Sequence, residues 1–502
     1  MFNGFSRYFS LWPRVLRQIF AKRLTRMITA KTYFSGAINQ FLDNDLLCDT
    51  TGTRFKYSNV NDFCKSTFFQ ALERKLVVCK LTNEAECLAL YFALLASGAI
   101  PLLASSDISE QDYSKLLHAY QPAAELIPLA GSAVHGECFR HDSIRKYTVH
   151  ILKNSSFKYL ANDQLALLLP TSGSTGSVKY VRISHENIIS NTKAISAYLK
   201  IKESDRVITT LPANYSYGAS VLHTHLSKGS SIITTKASFF DNKFWNLFKD
   251  HKITTLNGVP FHYEMLKRLN FHKKNFPDLR IMTQAGGVLN SEVKSCFINY
   301  SIENCISFFV MYGQTEASPR ISYISIPDLL EAPDSIGLGL DGCRLFLRNE
   351  DGNIISAPHI IGELNVVGPN IAMGYAHSYK DLASVNKFQG SLKTGDLAYY
   401  DEQKRFYIVG RISRFVKIVG RRLSLDELQL YVSEYGFDNV CTGDDVLVKV
   451  GCVDISPKEQ KLLKKKLITK FSMPNNALKI FRIEKIERTS SGKIAYAKND
   501  KK

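Results

Sequence analysis

The sequence predicts an α/β protein with a mainly parallel sheet, a strand-rich segment after it and a mixed α+β C-terminal part. First, helical segments such as Val60–Leu72 and 84–97 alternate with short apolar runs such as 99–103 over residues 31–160, which is βαβ spacing. Second, residues 362–411 change to shorter, strand-rich units, and we expect a domain boundary close to 411–414. Third, 502 residues are too many for one ordinary core.

The composition indicates a globular protein, with 45% hydrophobic and 22% charged residues. No run of 18 apolar residues occurs, so no transmembrane helix is expected. The ten cysteines are scattered without a Cys-x-x-Cys pair, which argues against a zinc site and a disulfide framework. This pattern favours a reducing compartment, and we expect a cytoplasmic location.

The basic charge is concentrated at the two ends of the chain. Of the net charge of +18, residues 1–42 carry +7 and residues 457–502 carry +10, which leaves +1 for everything between. A nucleic-acid-binding protein would show a basic stripe along a folded face. The distribution therefore predicts no nucleic-acid partner.

Residues 1–28 form a basic, acid-free extension whose apolar residues follow an imperfect helical pattern. Three interpretations remain open. The first is a membrane-surface helix, which would give peripheral membrane contact. The second is an organellar transit peptide. The third is a dispensable extension, since Met27 could itself start the folded protein. The first and third are favoured over the second.

A glycine- and hydroxyl-rich loop follows the apolar run at 165–169, which reads as a buried strand. The loop holds Thr171, Ser172, Gly173, Ser174, Thr175, Gly176 and Lys179. Backbone N–H groups, hydroxyls and one lysine suit a polyphosphate. It is not a Walker A loop, because two residues separate Gly176 from Lys179. On these residues alone, a phosphate site and a solvated turn are equally favoured.

Three further turns each follow an apolar strand-like run, at 256–260, 283–287 and 311–316. Because loops after parallel strands converge on one edge of a sheet, we expect one site built from several strand ends. Ser184 is expected to cap a helix that runs to about Leu199. Tyr215 and Tyr217 precede a further, apolar helix and either line a pocket for an organic substrate or pack beneath a loop.

Taken together, the ordered motifs resemble the adenylate-forming superfamily of acyl-CoA synthetases, amino-acid adenylation domains and luciferase-like enzymes, over about residues 30–495. The resemblance implies a large N-terminal domain of βαβ-type sheets with a small β-barrel-like subdomain, residues 29–411. It also implies a small mobile α+β C-terminal domain, residues 412–502. The hinge position is Ser413, where the family usually has Asp or Lys.

The resemblance further implies an ATP-dependent ligase. A carboxylic acid attacks the α-phosphate of ATP, pyrophosphate leaves, and a thiol of CoA or of a carrier-protein phosphopantetheine then displaces AMP. The basic C-terminal segment would attract CoA phosphates or an acidic carrier protein. The alternatives are an amine or hydroxyl acceptor, an amino acid as substrate, and a degenerate homologue that binds nucleotide without chemistry.

Site residues carry over by position. The loop from Thr171 to Lys179 matches the one that holds the β- and γ-phosphates. The residues that match the nucleotide side are Gly286, Gly287, Tyr312, Asp396, Arg411 and Arg422. Thr315 matches an α-phosphate donor, and Glu316 matches the carboxylate that holds Mg²⁺. Lys493 matches the lysine that reaches between the substrate carboxylate and the α-phosphate.

The acyl side of the site is expected at Tyr215, Tyr217 and Gly218. Amino-acid adenylation domains carry an Asp there that pairs with the substrate ammonium, and Ser216 takes its place in this chain. A buried ammonium without a carboxylate partner is costly. The sequence therefore disfavours an α-amino acid and leaves the length of the acyl chain open.

Overall fold

The computed structural model describes residues 29–129, 137–152, 160–171, 179–418, 421–489 and 492–500. The basic segment 1–28 and residues 172–176 of the predicted phosphate loop lie outside these ranges. Within them, no helix is both long enough and apolar enough to cross a bilayer.

The described helices are α1 Ala30–Gln40, α2 Tyr57–Lys65, α3 Thr67–Gln70, α4 Ala85–Ser97, α5 Glu110–Tyr120, α6 His185–Tyr198, α7 Ser216–Leu226, α8 Asn242–Asp250, α9 Pro260–Arg268, α10 Ser291–Glu303, α11 Asp328–Glu331, α12 Leu425–Glu434, α13 Pro457–Phe471 and α14 Tyr496–Asn499.

The first strands along the chain are β1 Asp45–Asp49, β2 Arg54–Lys56, β3 Leu76–Leu81, β4 Ile100–Ser105, β5 Ala124–Pro128, β6 Tyr147–Ile151, β7 Leu165–Pro170, β8 Tyr180–Ser184, β9 Arg206–Ile208, β10 Ser231–Thr234, β11 Thr255–Gly258, β12 Ile281–Gln284, β13 Ser307–Gly313, β14 Arg320–Ser325 and β15 Leu338–Gly339. They are followed by β16 Arg344–Arg348, β17 Ile354–Ile355, β18 Gly362–Val367, β19 Tyr375–Ala376, β20 Ser391–Tyr400, β21 Phe406–Arg411, β22 Phe415–Ile418, β23 Arg421–Ser424, β24 Asn439–Gly443, β25 Val448–Val453 and β26 Leu478–Ile483.

Two large sheets form the N-terminal part, of which the nine-stranded one is mainly parallel, as predicted, and the seven-stranded one pairs three parallel and three antiparallel neighbours. One has nine strands in the order β15-β14-β13-β12-β11-β9-β10-β1-β2, and the other has seven in the order β19-β8-β7-β4-β3-β5-β6. The main hydrophobic core includes residues of both sheets and of α1, α2, α4 and α7. All 13 residues of α4 are buried, as expected of a helix that is apolar on every side.

A five-stranded antiparallel sheet, β17-β16-β18-β20-β21, corresponds to the predicted barrel-like subdomain. After it, β22 to β26 and helices α12 and α13 enclose a core of their own. Two parallel partners, β25 and β26, and the antiparallel β24 form its three-stranded sheet. The α+β character expected of the C-terminal part is therefore confirmed.

Most local predictions hold, and one is wrong. Ser184 caps α6, since its side chain accepts a hydrogen bond from the Asn187 N–H. The helix expected over Val60–Leu72 is instead broken at Ser66, whose backbone is extended (φ −63°, ψ 150°). Its hydroxyl accepts a hydrogen bond from the Phe69 N–H, so it ends α2 and caps α3.

Candidate active site

The site lies where three neighbouring strands end. Strands β11, β12 and β13 run parallel and in register, so that Gly258 pairs with Gln284 and Gln284 with Val310. Their carboxyl ends therefore lie at the same edge of the nine-stranded sheet. The turns at this edge carry several of the predicted site residues, as the sequence pattern indicated.

Asp396 is held between an aromatic hydroxyl and a guanidinium. The Tyr312 hydroxyl donates a short hydrogen bond to Asp396 Oδ2, and Arg411 Nε donates to Oδ1 at 2.9 Å. The register of β20 and β21 places Asp396 opposite Arg411. Burial, and then the Asp396 charge, hold the pKa of Tyr312 well above its usual range, so that its hydroxyl remains a donor.

Thr315 and Glu316 lie side by side in the short turn after β13. The Thr315 Oγ1 is 3.1 Å from Ser216 Oγ at the start of α7. The Tyr375 hydroxyl donates to Glu316 Oε1 at 2.9 Å. Lys179 Nζ lies 3.7 Å from the centroid of the Tyr375 ring. One tyrosine thus joins the lysine at the end of the phosphate loop to the predicted Mg²⁺ ligand.

Lys493 reaches this strand edge from the C-terminal part of the chain. Its Nζ lies 5.3 Å from the centroid of the Tyr215 ring. Burial, and then the Arg411 charge, lower the pKa of the Lys493 ammonium to about 8, while Glu316 and Asp396 act in the opposite direction. The predicted catalytic lysine is therefore brought into the same electrostatic environment as the predicted Mg²⁺ and ribose carboxylates.

Gly286 makes the close approach of Lys493 possible. Its φ of +90° lies in the left-handed region, and a Cβ there would lie 2.8 Å from Tyr215 Oη and 3.5 Å from Lys493 Cε. A Cβ on Gly287 would approach Pro260 at 3.2 Å. A Cβ on Gly218, within α7, would lie 2.1 Å from the Pro212 carbonyl oxygen. All three glycines leave room for neighbouring groups of the site.

The two predicted substrate tyrosines have different surroundings. Tyr215 is half-buried and faces Lys493, and burial raises its pKa to about 12. Tyr217 is 1% exposed, and its hydroxyl bonds with Thr283 Oγ1 at 2.6 Å. The Arg320 guanidinium carbon lies 4.3 Å from the Tyr217 ring centroid. Tyr215 therefore lines the site, whereas Tyr217 packs against a buried arginine.

The hinge position is exposed and lies next to an anchored arginine. Ser413 is in the turn Ile412–Arg414. Arg414 Nε donates to Asp426 Oδ1 at 2.6 Å, and the Arg411 N–H donates to Asp426 Oδ2 at 3.3 Å. One carboxylate on α12 thus bonds to both sides of Ser413.

Some predicted residues lie outside the described part of the chain. Ser172, Gly173, Ser174, Thr175 and Gly176 lie outside the described residues, and the side chain of Arg422, on β23, does too. Two polar neighbours of the site, Tyr375 and Arg320, were not anticipated. Tyr375 stands on a two-residue strand with no motif around it, and Arg320 follows the 311–316 turn without a signal of its own.

The residues present fit a nucleotide with a hard cation. Among the described residues, no group of three His, Cys, Asp or Glu side chains is placed to bind a metal. Mg²⁺ typically needs only one or two protein carboxylates beside substrate phosphates and water. Glu316, half-buried beside Tyr375 and Lys179, offers such a carboxylate.

Curated relatives are similar to this chain over about two thirds of its length. The oxalate–CoA ligase of Saccharomyces cerevisiae is 26% identical over 352 residues, 67% of this chain and 63% of that protein. The oxalate–CoA ligase of Arabidopsis thaliana is 27% identical over 66% of each protein. The aligned part thus spans less than two thirds of either relative. The 2-succinylbenzoate–CoA ligase of Bacillus pumilus is 25% identical over 70% of each chain.

Solved structures share the fold along nearly the whole chain. The o-succinylbenzoate CoA synthetase of Bacillus subtilis, in complex with its acyl-adenylate intermediate, superposes with a TM-score of 0.75 at 19% identity, covering 93% of this chain and 97% of that one. ATP-bound MatB of Rhodopseudomonas palustris gives a TM-score of 0.74 at 20% identity, covering 94% and 98%.

The family assignment rests on the sequence match together with this fold. The AMP-binding enzyme family matches residues 70–376, which include the phosphate loop, the three strand ends and the Tyr312–Glu316 turn. The chain belongs to the AMP-binding enzyme family.

Proposed function

We propose that this protein activates a carboxylic acid with ATP, releasing pyrophosphate, and transfers the acyl group to a thiol. The observation that carries the proposal is the convergence of Lys493, Thr315, Glu316 and Asp396 on one strand edge. Bringing a carboxylate anion to a polyphosphate requires neutralised charge and alignment, and this set supplies both. Relatives named as CoA ligases support CoA as the acceptor.

In the first half-reaction, a substrate carboxylate oxygen forms a bond to the α-phosphorus of ATP, and the bond to pyrophosphate breaks. The Lys493 ammonium would stabilise the charge shared by the two anions, and the Thr315 hydroxyl would donate to an α-phosphate oxygen. The 171–179 loop would hold the departing pyrophosphate. Mg²⁺, held by Glu316, supplies charge neutralisation on the phosphates.

The nucleoside of ATP would be held on the side of the strand edge away from the phosphate loop. Asp396 would accept the ribose hydroxyls, with Arg411 and Arg422 nearby, and Tyr312 would lie beside the adenine with the Gly286–Gly287 turn. The hydrogen bonds of Tyr312 and Arg411 to Asp396 support this arrangement, because they hold the carboxylate in a fixed orientation. A preoriented acceptor loses less entropy when it binds a hydroxyl.

In the second half-reaction, the thiol loses its proton to solvent, its sulfur bonds to the acyl carbon, and the bond from that carbon to the AMP phosphate oxygen breaks. Lys493 occupies the strand edge that the thiol would need. We infer that residues 412–502 form a mobile lid over residues 29–411. This lid would rotate about a hinge at Ser413. The separate hydrophobic core of the C-terminal part supports movement as a unit.

The acceptor is CoA in our proposal, with a carrier-protein phosphopantetheine as the alternative. The +10 charge of residues 457–502 favours either an acidic carrier or the CoA phosphates. Peripheral membrane contact through residues 1–28 is a separate proposal, supported by their basic and aromatic composition. Sedimentation with anionic liposomes, with and without that segment, tests it.

The decisive experiment is pyrophosphate release from ATP across a panel of carboxylic acids, followed by addition of CoA or of a holo-carrier protein. We expect release only when an acid is present, and then a thioester with one of the two thiols. If no acid of the panel causes pyrophosphate release, a nucleotide-binding homologue without chemistry would be favoured. A thioester with the carrier alone would exclude CoA as the acceptor.

A further inference from the structure

A buried arginine lies beside the acyl side of the site. Arg320, the first residue of β14, is only 3% exposed. Its Nη2 donates to Ser220 Oγ at 3.2 Å, its guanidinium carbon lies 4.3 Å from the Tyr217 ring centroid, and its buried Nε has no hydrogen-bond partner among the described residues. The cation is therefore held by the Ser220 hydroxyl and the Tyr217 ring, and the Tyr198 hydroxyl also accepts a hydrogen bond from it.

No described carboxylate forms an ion pair with Arg320. The described arginines that do form ion pairs are Arg54, Arg280, Arg405, Arg411, Arg414, Arg482 and Arg488. Fully buried Arg182 also lacks a carboxylate, yet its two Nη groups donate to four backbone carbonyls. Because a buried unpaired charge is costly, Arg320 needs an anion that the described chain does not supply.

The groups that face the Arg320 guanidinium are neutral. They are the hydroxyls of Ser220 and Tyr198, the ring of Tyr217, and Tyr215. Burial raises the pKa of Tyr215 and of Tyr217 to about 12, and the Arg320 charge opposes that rise in both. The same balance holds for Tyr198, whose pKa burial also raises. These tyrosines therefore stay protonated at neutral pH and cannot serve as counter-ions.

The position of Arg320 relative to the reacting end can be read from helix α7. Ser216 and Ser220 lie four residues apart, about one helical turn or ~6 Å. Ser216 bonds with Thr315, the predicted α-phosphate donor, and Ser220 bonds with Arg320. Tyr215, which precedes the helix, lies under Lys493. Arg320 is thus one turn of α7 away from the residue that bonds with Thr315.

We propose that Arg320 binds a second carboxylate of the substrate, so that the acid activated is a short dicarboxylate. This inference rests on the proposed function and names its substrate class. The planar guanidinium fork matches a carboxylate in bidentate geometry. One helical turn separates Ser216, which bonds with Thr315, from Ser220, which bonds with Arg320, and this close spacing favours a short chain of roughly three to five carbons.

The test compares each dicarboxylic acid of three to five carbons with its monomethyl ester, which keeps the length and lacks the second charge. With the full-length protein, we expect kcat/KM for pyrophosphate release to be roughly 10- to 100-fold higher with the diacid, the range expected for charge-assisted hydrogen bonds. Arg320→Gln should lose that preference, mainly through a higher KM for the diacid.

The control is Arg344→Gln, which alters an exposed arginine on β16, a strand of the five-stranded antiparallel sheet. It should leave both substrates unaffected. If Arg320→Gln does not fold, the preference of the unaltered protein still decides the question. Equal use of diacid and ester would overturn the role of Arg320 and leave the proposed ligase activity standing. No release with any acid would remove the proposed activity, and this inference with it.

Discussion

At the scale of single residues, Lys493 is the side chain whose environment says most about the chemistry. Its ammonium lies over the ring of Tyr215, and it is close to the guanidinium of Arg411 and the carboxylates of Glu316 and Asp396. Desolvation outweighs the carboxylates, so the pKa of the ammonium falls to about 8. A lysine in this state loses its proton within the range in which such an enzyme is assayed.

The first prediction concerns the pH dependence of pyrophosphate release. If the protonated form of Lys493 is the acting one, kcat/KM should fall as the pH rises through about 8, since this parameter reports the free enzyme. Lys493→Ala should lower kcat/KM by roughly 10²- to 10³-fold at pH 7. It should also remove the fall of kcat/KM near pH 8.

Two checks make this prediction specific. Thioester formation from a supplied acyl-adenylate should survive in Lys493→Ala, and Lys485→Ala, at a lysine that is 74% exposed, should behave as the unaltered protein. Equal loss of both half-reactions in Lys493→Ala would contradict the role assigned to the lysine.

At the scale of elements, the turn after β12 controls how closely the C-terminal part can approach the strand ends. Gly286 has a positive φ and faces both Tyr215 and Lys493. Gly352, in a turn between β16 and β17, has a similar φ of +84° but no atom within 4 Å of a Cβ position. Substituting Gly286 and Gly352 in parallel therefore distinguishes the effect of backbone strain, which both share, from the effect of lost space at the site, which only Gly286 has.

We therefore predict different outcomes for two alanine substitutions. Gly286→Ala and Gly352→Ala should each lower the free energy of unfolding by about 1–2 kcal/mol, because both place a Cβ in the left-handed region. Only Gly286→Ala should also slow pyrophosphate release, by roughly 10²-fold, because its Cβ displaces Tyr215 and Lys493. Thermal unfolding and steady-state kinetics of both variants measure the two effects. Equal activity of the two would show that the space at Gly286 does not matter.

The elements were more predictable than the contacts between them. Apolar runs that end in glycine-rich turns placed β7, β11, β12 and β13 and their common edge. The contact of Tyr375 with Glu316 joins residues 59 positions apart, and that of Arg320 with Ser220 spans 100. No local pattern encodes such pairs, because they depend on the register of distant strands. The break at Ser66 was missed since a serine inside an apolar helical pattern is compatible with a continuous helix.

At the scale of the whole molecule, the C-terminal part rests on the strand edge through residues near Lys493. A Cβ on Gly492 would lie 3.1 Å from Val259 Cγ2, and the Arg488 guanidinium lies 4.9 Å from the Phe261 ring centroid. This arrangement suits the first half-reaction in our proposal. The second requires the C-terminal part to leave.

A reversible crosslink tests that requirement. Val259→Cys combined with Gly492→Cys places two sulfurs within the reach of a disulfide, whose Cβ atoms lie roughly 3.5–4.5 Å apart. The oxidised variant should still release one pyrophosphate per molecule but form no thioester, and reductant should restore thioester formation. Each single-cysteine variant serves as the control. Thioester formation at an undiminished rate in the oxidised protein would exclude a lid movement.

The central claim is that this chain cleaves ATP between the α- and β-phosphates only when a carboxylic acid is present. Phosphorus NMR of the reaction products tests it most directly. With ATP, Mg²⁺, a carboxylic acid and CoA, the account predicts AMP and pyrophosphate in equal amounts, and neither without the acid. Formation of ADP and inorganic phosphate, or turnover that does not depend on the acid, would contradict it.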